Sequence, residues 1–242
     1  MSFIINPYRH AASNGLLTDL ESYYKLDEAS GTIQDSHGSN DGTNNGATYG
    51  ATGIINDALD FDGTNDRVSM GNVLSFDARS EALSASAWIK CNNFSSQMDI
   101  INKQNATTPY TGLAIRVRTD AQINFLLRGS DSPLSNVIER DTDTTISTGS
   151  WYHIVCTHDG SGDASGMTIY INGSSQAVTT LYDNLTTTTE NTADFQIGAR
   201  GTAGGFFDGI IDEVGIWSRE LSSTDVANLY NSGSGLAYSS FN

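Results

Sequence analysis

The chain has 242 residues and carries 28 acidic against 12 basic side chains, a formal net charge of −16. Only three of the basic residues are lysines, so no clustered cationic surface exists for phosphates, which excludes nucleic acid and an anionic membrane surface as partners. Glycine is plentiful at 24 residues and proline scarce at 3; with abundant Ser, Thr and Asn this is the composition of many short strands joined by polar turns, at a length ordinary for one β-sandwich domain.

Residues 1–15 stand apart as an N-terminal arm, and residues 16–242 read as one domain. The opening MSFIINPYRH has neither the basic start nor the apolar core of a signal peptide. It reads either as a frayed terminus or as an arm that docks on a partner through Phe3, Ile4, Ile5 and Tyr8. Glu21–Asp27 (ESYYKLD) is the first strand. Glu28–Asn45 is nearly free of apolar residues and dense in Asp, Asn and Gly, so it reads as a long surface loop of the functional kind. Gly53–Met70 forms two strands around a turn at Asp62–Asp66, and Leu83–Cys91 and Met98–Lys103 are strands. Gly112–Arg118 and Ala121–Arg128 form a hairpin, with Leu113, Ile115 and Val117 on one face and Arg116 and Arg118 on the other.

Ser150–His158 is the strongest strand in the middle of the chain. Met167–Asn172 turns at Asn172-Gly173 into a return strand at Gln176–Thr180. Ala193–Gly198 is another strand, and Gly205–Trp217 (GFFDGIIDEVGIW) a long one. The good helix candidate is Ser222–Asn231, opened by the S-x-x-D capping form of Ser222 and Asp225. The pattern predicts an all-β fold: a two-sheet antiparallel sandwich of the jelly-roll type with one short C-terminal helix. Cys91 and Cys156 fall in strands and read as free buried thiols rather than a bridge.

Five pieces in order resemble the LamG-like, concanavalin A-like lectin/glucanase jelly-roll family: YYKLDEASGTIQDSHGSNDG (23–42), LDFDGTNDRVSM (59–70), SASAWIK (84–90), WYHIVCTHDGSGDASGMTIYINGSSQ (151–176) and FQIGARGTAGGFFDGIIDEVGIWSRELSSTDVANLYNSG (195–233). Together they cover nearly the whole domain. The resemblance implies a structural calcium ion held by Asp35, Asn40, the backbone carbonyl of Gly42, and Asp212. The residues agree in part: a carboxylate inside the apolar run of 205–217 is costly unless something pairs with it, and calcium takes oxygen donors. The alternative is that Asp212 accepts bonds from backbone amides. Alternation sends Asp212 and Glu213 to opposite faces, with Glu213 a surface charge.

Related jelly-roll glycosidases carry a Glu-x-Asp-x-x-Glu strand, which is absent from this sequence. Two acids on opposite faces cannot flank a glycosidic bond. His153 and His158 also face opposite sides of their strand, so no enzymatic site is expected. Phe206, Tyr110, Tyr182 and Trp217 are candidate sugar platforms, but the tryptophans are equally good core residues, and no ligand-binding set can be named. The expectation is a non-enzymatic binding or structural module. Because the first eight residues also resemble openings of tailed-phage structural proteins, the first reading is a virion decoration or fibre/adhesin protein, anchored to capsid or tail proteins by its arm and able to form homo-oligomers. The alternative is a secreted or cell-surface carbohydrate-binding module that takes a surface glycan.

Overall fold

The computed structural model describes residues 15–130, 136–202 and 204–242; the docking side chains Phe3, Ile4, Ile5 and Tyr8 lie outside the described residues. Seventeen strands among the described residues form two antiparallel sheets. In chain order they are β1 (Leu20–Tyr24), β2 (Thr32–Ile33), β3 (Gly42–Asn45), β4 (Thr48–Thr52), β5 (Asp57–Asp62), β6 (Arg67–Ser69), β7 (Leu83–Cys91), β8 (Met98–Gln104), β9 (Gly112–Val117), β10 (Gln122–Arg128), β11 (Val137–Thr145), β12 (Tyr152–His158), β13 (Met167–Ile171), β14 (Ser174–Ser175), β15 (Val178–Asn184), β16 (Gln196–Ile197) and β17 (Asp208–Trp217). One sheet has eight strands in the order β14-β13-β12-β7-β17-β5-β4, with β1 also paired to β17; the other has nine, β15-β11-β10-β9-β8-β16-β6-β3-β2. The sandwich expected from the sequence is the observed fold.

Strand period explains the core. Leu113, Ile115 and Val117 of β9 and Ile123, Phe125 and Leu127 of β10 point between the sheets, where they meet Leu59, Phe61, Ile89, Ile211, Val214 and Ile216 from the opposite layer. A second apolar cluster lies on the outer face of the eight-stranded sheet. There Trp217, fully buried, packs with Leu20, Tyr23, Leu221, Val226, Leu229 and Phe241, and its indole Nε1 donates to Leu16 O at 2.7 Å. Burying a side chain of that size contributes roughly 2–3 kcal/mol, and the satisfied N–H removes the cost that would offset it.

The helix α1 (Ser223–Tyr230) closes this outer layer. Its capping box is complete: Ser222 Oγ accepts from Asp225 N at 3.2 Å, and Asp225 Oδ2 accepts from Ser222 N at 3.0 Å. Arg219 Nη1 holds the same carboxylate at 3.0 Å. Tyr230 at the end of the helix stacks on Trp88, and Trp88 on His153. His153 Nε2 lies 2.8 Å from Ser86 Oγ, and full burial pushes the imidazole down to about 3, so it is a neutral packing residue. His158 is buried on the core side of the strand, as alternation requires, and both cysteines are free and buried.

Three features differ from the sequence expectation. The polar loop 28–45 contains two short strands, β2 and β3, that edge the nine-stranded sheet. The segment after Asn172-Gly173 divides: β14 returns along β13, while β15 crosses to the other sheet and pairs with β11. Arg116, expected on a solvent face, is buried with its Nε 3.0 Å from Asp99 Oδ1. No helix of the described residues is long and apolar enough to cross a membrane.

Lys103 is 2% exposed, and its Nζ donates to Asn72 Oδ1 at 3.0 Å and Ala193 O at 2.7 Å. Burial lowers its ammonium from 10.5 to about 8. The unfolded chain therefore keeps this proton over a pH range in which the folded chain has released it, and stability conferred at this residue rises as pH climbs from about 8 to 10.5. Paired thermal melts should show the parent gaining on Lys103→Met over that interval; parallel curves would refute the assignment. Ser222→Ala should lower unfolding free energy by about 1 kcal/mol through loss of the cap, read as a lower urea midpoint with an unchanged slope.

Candidate functional site

The strand β17 changes partners along its length. Its first half, Asp208–Ile211, pairs with β5, and its second half, Val214–Trp217, pairs with β1. On its other side it runs along β7, with a register shift between Asp212 and Gly215. Ile211 and Val214 both enter the core although they are three residues apart, so one extra residue is accommodated by a β-bulge, with Glu213 at φ +50°. Asp212 and Glu213 fall in the gap between the two partner strands. The bulge cancels the alternation that would separate them. Glu213 is consequently 3% exposed rather than a surface charge, and Asp212 is 0% exposed.

Each acid finds a different partner. Asp212 Oδ2 accepts from Ile54 N at 2.7 Å and Ile55 N at 3.2 Å, two amides of the turn that leads into β5. A side chain on Gly53 would lie 2.6 Å from that same oxygen, which is why the turn needs glycine there. Glu213 Oε2 accepts from the hydroxyl of Tyr23 on β1. Asp27 completes the group: one ligand atom each from Asp27, Asp212 and Glu213 lie within 4.8 Å of one another, the one such trio among the described residues. Asp27 Oδ2 accepts from Lys25 Nζ at 3.4 Å and Asn56 Nδ2 at 3.2 Å. Burial raises Asp212 to about 7, against the pull of the two turn amides. Burial, reinforced by the neighbouring Asp212 charge, raises Glu213 to about 8.

Two oxygens of the trio, Asp27 Oδ1 and Asp212 Oδ1, are buried with no hydrogen-bond partner. Unpartnered buried acceptors are costly, and hard-cation chemistry is what such oxygens suit. With all three carboxylates ionised and Lys25 beside them, the charges sum to two negative, the complement of a divalent cation. The trio fits calcium on both counts. It opens on a cleft of about 360 Å³ lined by Lys25, Asp27, Ile55, Asn56, Glu213 and Tyr238 among others.

The four calcium ligands expected from the sequence are divided. Asp212 is in the trio. Asp35 instead pins the early loop to β1: its Oδ1 accepts from Tyr23 N at 3.0 Å, His37 N at 3.1 Å and Gly38 N at 2.9 Å, and its Oδ2 from Asn40 N at 3.0 Å. Burial acts to raise this carboxyl, but the amides outweigh it and hold it below the usual carboxylate range. Asn40 donates to Ser22 Oγ at 2.9 Å, and its carbonyl accepts from Tyr24 at 2.8 Å. Gly42 sits in β3 opposite Ile33, where an added Cβ would lie 2.6 Å from Val68 Cγ1. These three residues secure the loop by hydrogen bonds and packing. Asp27 and Glu213 take the places beside Asp212.

The sequence did carry a signal for Glu213. Apolar residues at 211, 214 and 216 break period 2 by one step, which is the mark of a bulge. Asp27 carries no such mark; only the approach of the turn at 53–56 brings it near.

A second polar concentration covers the outer face of the nine-stranded sheet. Asn124 Nδ2 donates to Glu139 Oε1 at 2.9 Å and to Asp141 Oδ1 at 2.6 Å, while Arg118 Nη1 lies 3.1 Å from Asp141 Oδ2. Glu139 and Asp141 are two acids at strand period on one face, but Asn124 and Arg118 engage them as a packed network. Among the aromatic candidates, Trp217 is core, Tyr110 lies under the Arg200 guanidinium at 5.3 Å, Phe206 is half-buried and Tyr182 is exposed.

Asp212→Ala strips the acceptor from two turn amides and should cost about 2 kcal/mol or more, whereas Asp212→Asn, which retains an acceptor oxygen, should cost less. Urea denaturation of both variants decides; equal losses would mean that the turn amides do not depend on this side chain.

Comparison with known proteins was made on sequence and on fold. No curated protein sequence matches the chain. The binding domain of Paraclostridial Mosquitocidal Protein 1 superposes with a TM-score of 0.68 at 18% identity, covering 90% of this chain and 53% of that one. Domain 4 of AbnA, a GH43 extracellular arabinanase from Geobacillus stearothermophilus in complex with arabinotriose, gives 0.60 at 21% identity, covering 86% of this chain and 97% of that one. Trypanosoma rangeli sialidase gives 0.63 at 14% identity, covering 91% of this chain and 34% of that one. The chain thus spans about half of the toxin chain and a third of the sialidase, and identities this low establish a common fold alone. The family model of the concanavalin A-like lectin/glucanases superfamily matches residues 62–227. Over two sheets whose order and register carry those residues, this chain belongs to the concanavalin A-like lectin/glucanase superfamily.

Proposed function

We propose that this chain is a non-enzymatic carbohydrate-binding module whose sandwich is tied together by a calcium ion held by Asp27, Asp212 and Glu213. The observation that carries this reading is the trio of half-buried Asp27 with buried Asp212 and Glu213, two of its oxygens unpartnered, opening on a cleft of about 360 Å³, a size suited to a small ligand. Membership of a lectin-rich superfamily and likeness to toxin binding domains and to an arabinanase domain in complex with arabinotriose support the ligand class. The non-enzymatic part is supported by the engagement of the buried acids: Asp212 by turn amides, Glu213 by Tyr23, and Glu139 and Asp141 by Asn124. Bound calcium would join β17 to the segment after β1, stitching two elements that no ladder connects at that point.

The setting in this reading is a displayed module, on a phage particle as a decoration or fibre/adhesin protein, with Phe3, Ile4, Ile5 and Tyr8 as its anchor. Sequence alone supports that finer placement. A secreted or cell-surface setting requires the same module.

Calcium at a hundredfold excess over its dissociation constant stabilises a native state by about 2.7 kcal/mol. The melting temperature should therefore fall with EDTA and recover with added calcium in the parent, and respond to neither in a Glu213→Gln/Asp27→Asn double variant. A glycan array in calcium buffer should return hits. An EDTA-insensitive melt would refute the metal, and an array without hits would refute the carbohydrate reading.

A further inference from the structure

A second cleft, of about 570 Å³, opens between β1, the segment that leads into β7 and the residue that follows β17. Its apolar lining is Leu74, Phe76 and Ala82, the first two half-buried against the core between the sheets. Its charge comes from two exposed carboxylates, Glu21 and Glu81. Each is anchored by one oxygen: Glu21 Oε1 accepts from Ser218 Oγ at 2.5 Å, and Glu81 Oε2 accepts from Asp77 N at 2.7 Å. No cation lines the cleft among the described residues. The two arginines that flank it in sequence are engaged elsewhere, Arg79 by Asp77 and the carbonyl of Thr186, and Arg219 by Asp225 and the carbonyl of Thr18. The apolar lining is also fixed. Leu74 keeps φ +55°, a region that side chains of its kind rarely enter, and such a residue persists only where its surroundings over-determine it.

We propose that this cleft receives a basic side chain, lysine or arginine, from a partner polypeptide. No residue of the trio takes part, so the inference stands apart from the calcium and carbohydrate reading. Charge selects the end group. Two carboxylates without a counter-charge complement an ammonium or a guanidinium, and the net charge of −16 draws a cationic partner from a distance. The apolar lining selects the stem. Lysine and arginine lay their methylenes along apolar surface and keep the charged head among polar groups, and Phe76 adds an aromatic ring to that lining, a surface that cations favour. Size selects a polypeptide over a free amine. The cleft holds more than one side chain fills, and Ser80 and Asn40 bring a hydroxyl and an amide to meet the main-chain groups on either side of the basic residue.

The experiment titrates the full chain, labelled with nitrogen-15, with the capped tripeptides Gly-Lys-Gly and Gly-Arg-Gly, with the neutral isostere Gly-norleucine-Gly, and with butylamine. The expected result is a saturable shift of the Ser75, Phe76 and Glu81 amide signals with the two basic peptides, weakened by added salt. A Glu21→Gln/Glu81→Gln variant, which keeps both anchoring acceptors, should melt like the parent and bind about tenfold more weakly. An Asp120→Asn/Asp143→Asn variant removes the same charge at two exposed positions far from the cleft and should bind like the parent. Ala82→Arg, which brings the missing counter-charge into the cleft, should abolish the shifts. Shifts spread over the acidic surface without saturation, equal weakening in the two charge variants, or undiminished binding to Ala82→Arg would overturn the inference. Binding of the norleucine peptide as tight as that of the lysine peptide would overturn the basic side chain, and butylamine binding as tightly would overturn the polypeptide.

Discussion

The structure depends on what happens at the middle of one strand. β17 is shared by two partners that meet it end to end, β5 over Asp208–Ile211 and β1 over Val214–Trp217. The two-residue gap between them is where the bulge falls, and the two residues in it are acids. A strand interior ordinarily rejects charge because its surroundings offer no solvent and no counter-charge. Here the gap leaves room for the turn at 53–56 to present two amides to Asp212 and for Tyr23 to reach Glu213. The acids are held by groups that exist only because neither partner strand runs through.

That arrangement links the two halves of the chain. Asp27 and Tyr23 belong to the first elements and Asp212 and Glu213 to the last long strand, so the trio closes a loop of nearly the whole domain. The C-terminal segment reinforces the closure. Tyr238 and Phe241 pack on Tyr23, and Trp217 donates to Leu16 O. Site and scaffold are therefore the same set of contacts. The cleft sits between the layer that α1 and the C-terminal segment build on the outer face and the turn that leads into β5. Asp35, with four amides on one carboxylate, does comparable work for the early loop.

The nine-stranded sheet solves a different problem. Its outer face carries Asp99, Arg116, Asn124, Glu139 and Asp141, all buried, yet every one of them is in the hydrogen-bonded network of its neighbours across the ladder. A buried polar network of that kind rigidifies a sheet when it is satisfied. It explains why Arg116 could leave solvent despite facing away from the core: its partner Asp99 sits directly opposite it in the β8–β9 register. Even so, one oxygen of Asp99 and one of Asn124 are left without a partner, as two oxygens are in the trio.

By itself the sequence determined the class of fold and most of its strands. The strand runs at 83–91, 112–117 and 122–128, the Asn172-Gly173 turn and the Ser222 cap are local physics, and the structure places all of them where local physics puts them. β11 escaped because its alternating acids, Glu139, Asp141 and Asp143, hide the apolar partners that would announce a strand. The site was legible only at Asp212, a carboxylate whose apolar neighbours demanded a partner. Tertiary structure decided which partner. Whether Glu213 turns outward or joins Asp212 depends on a bulge, and the bulge depends on where β5 ends and β1 begins along β17. That Asp27 stands beside Asp212 goes with the turn at 53–56, which bonds Asp212 through Ile54 and Ile55 and Asp27 through Asn56. Pairing between segments nearly two hundred residues apart sets both, and no window along the chain contains it.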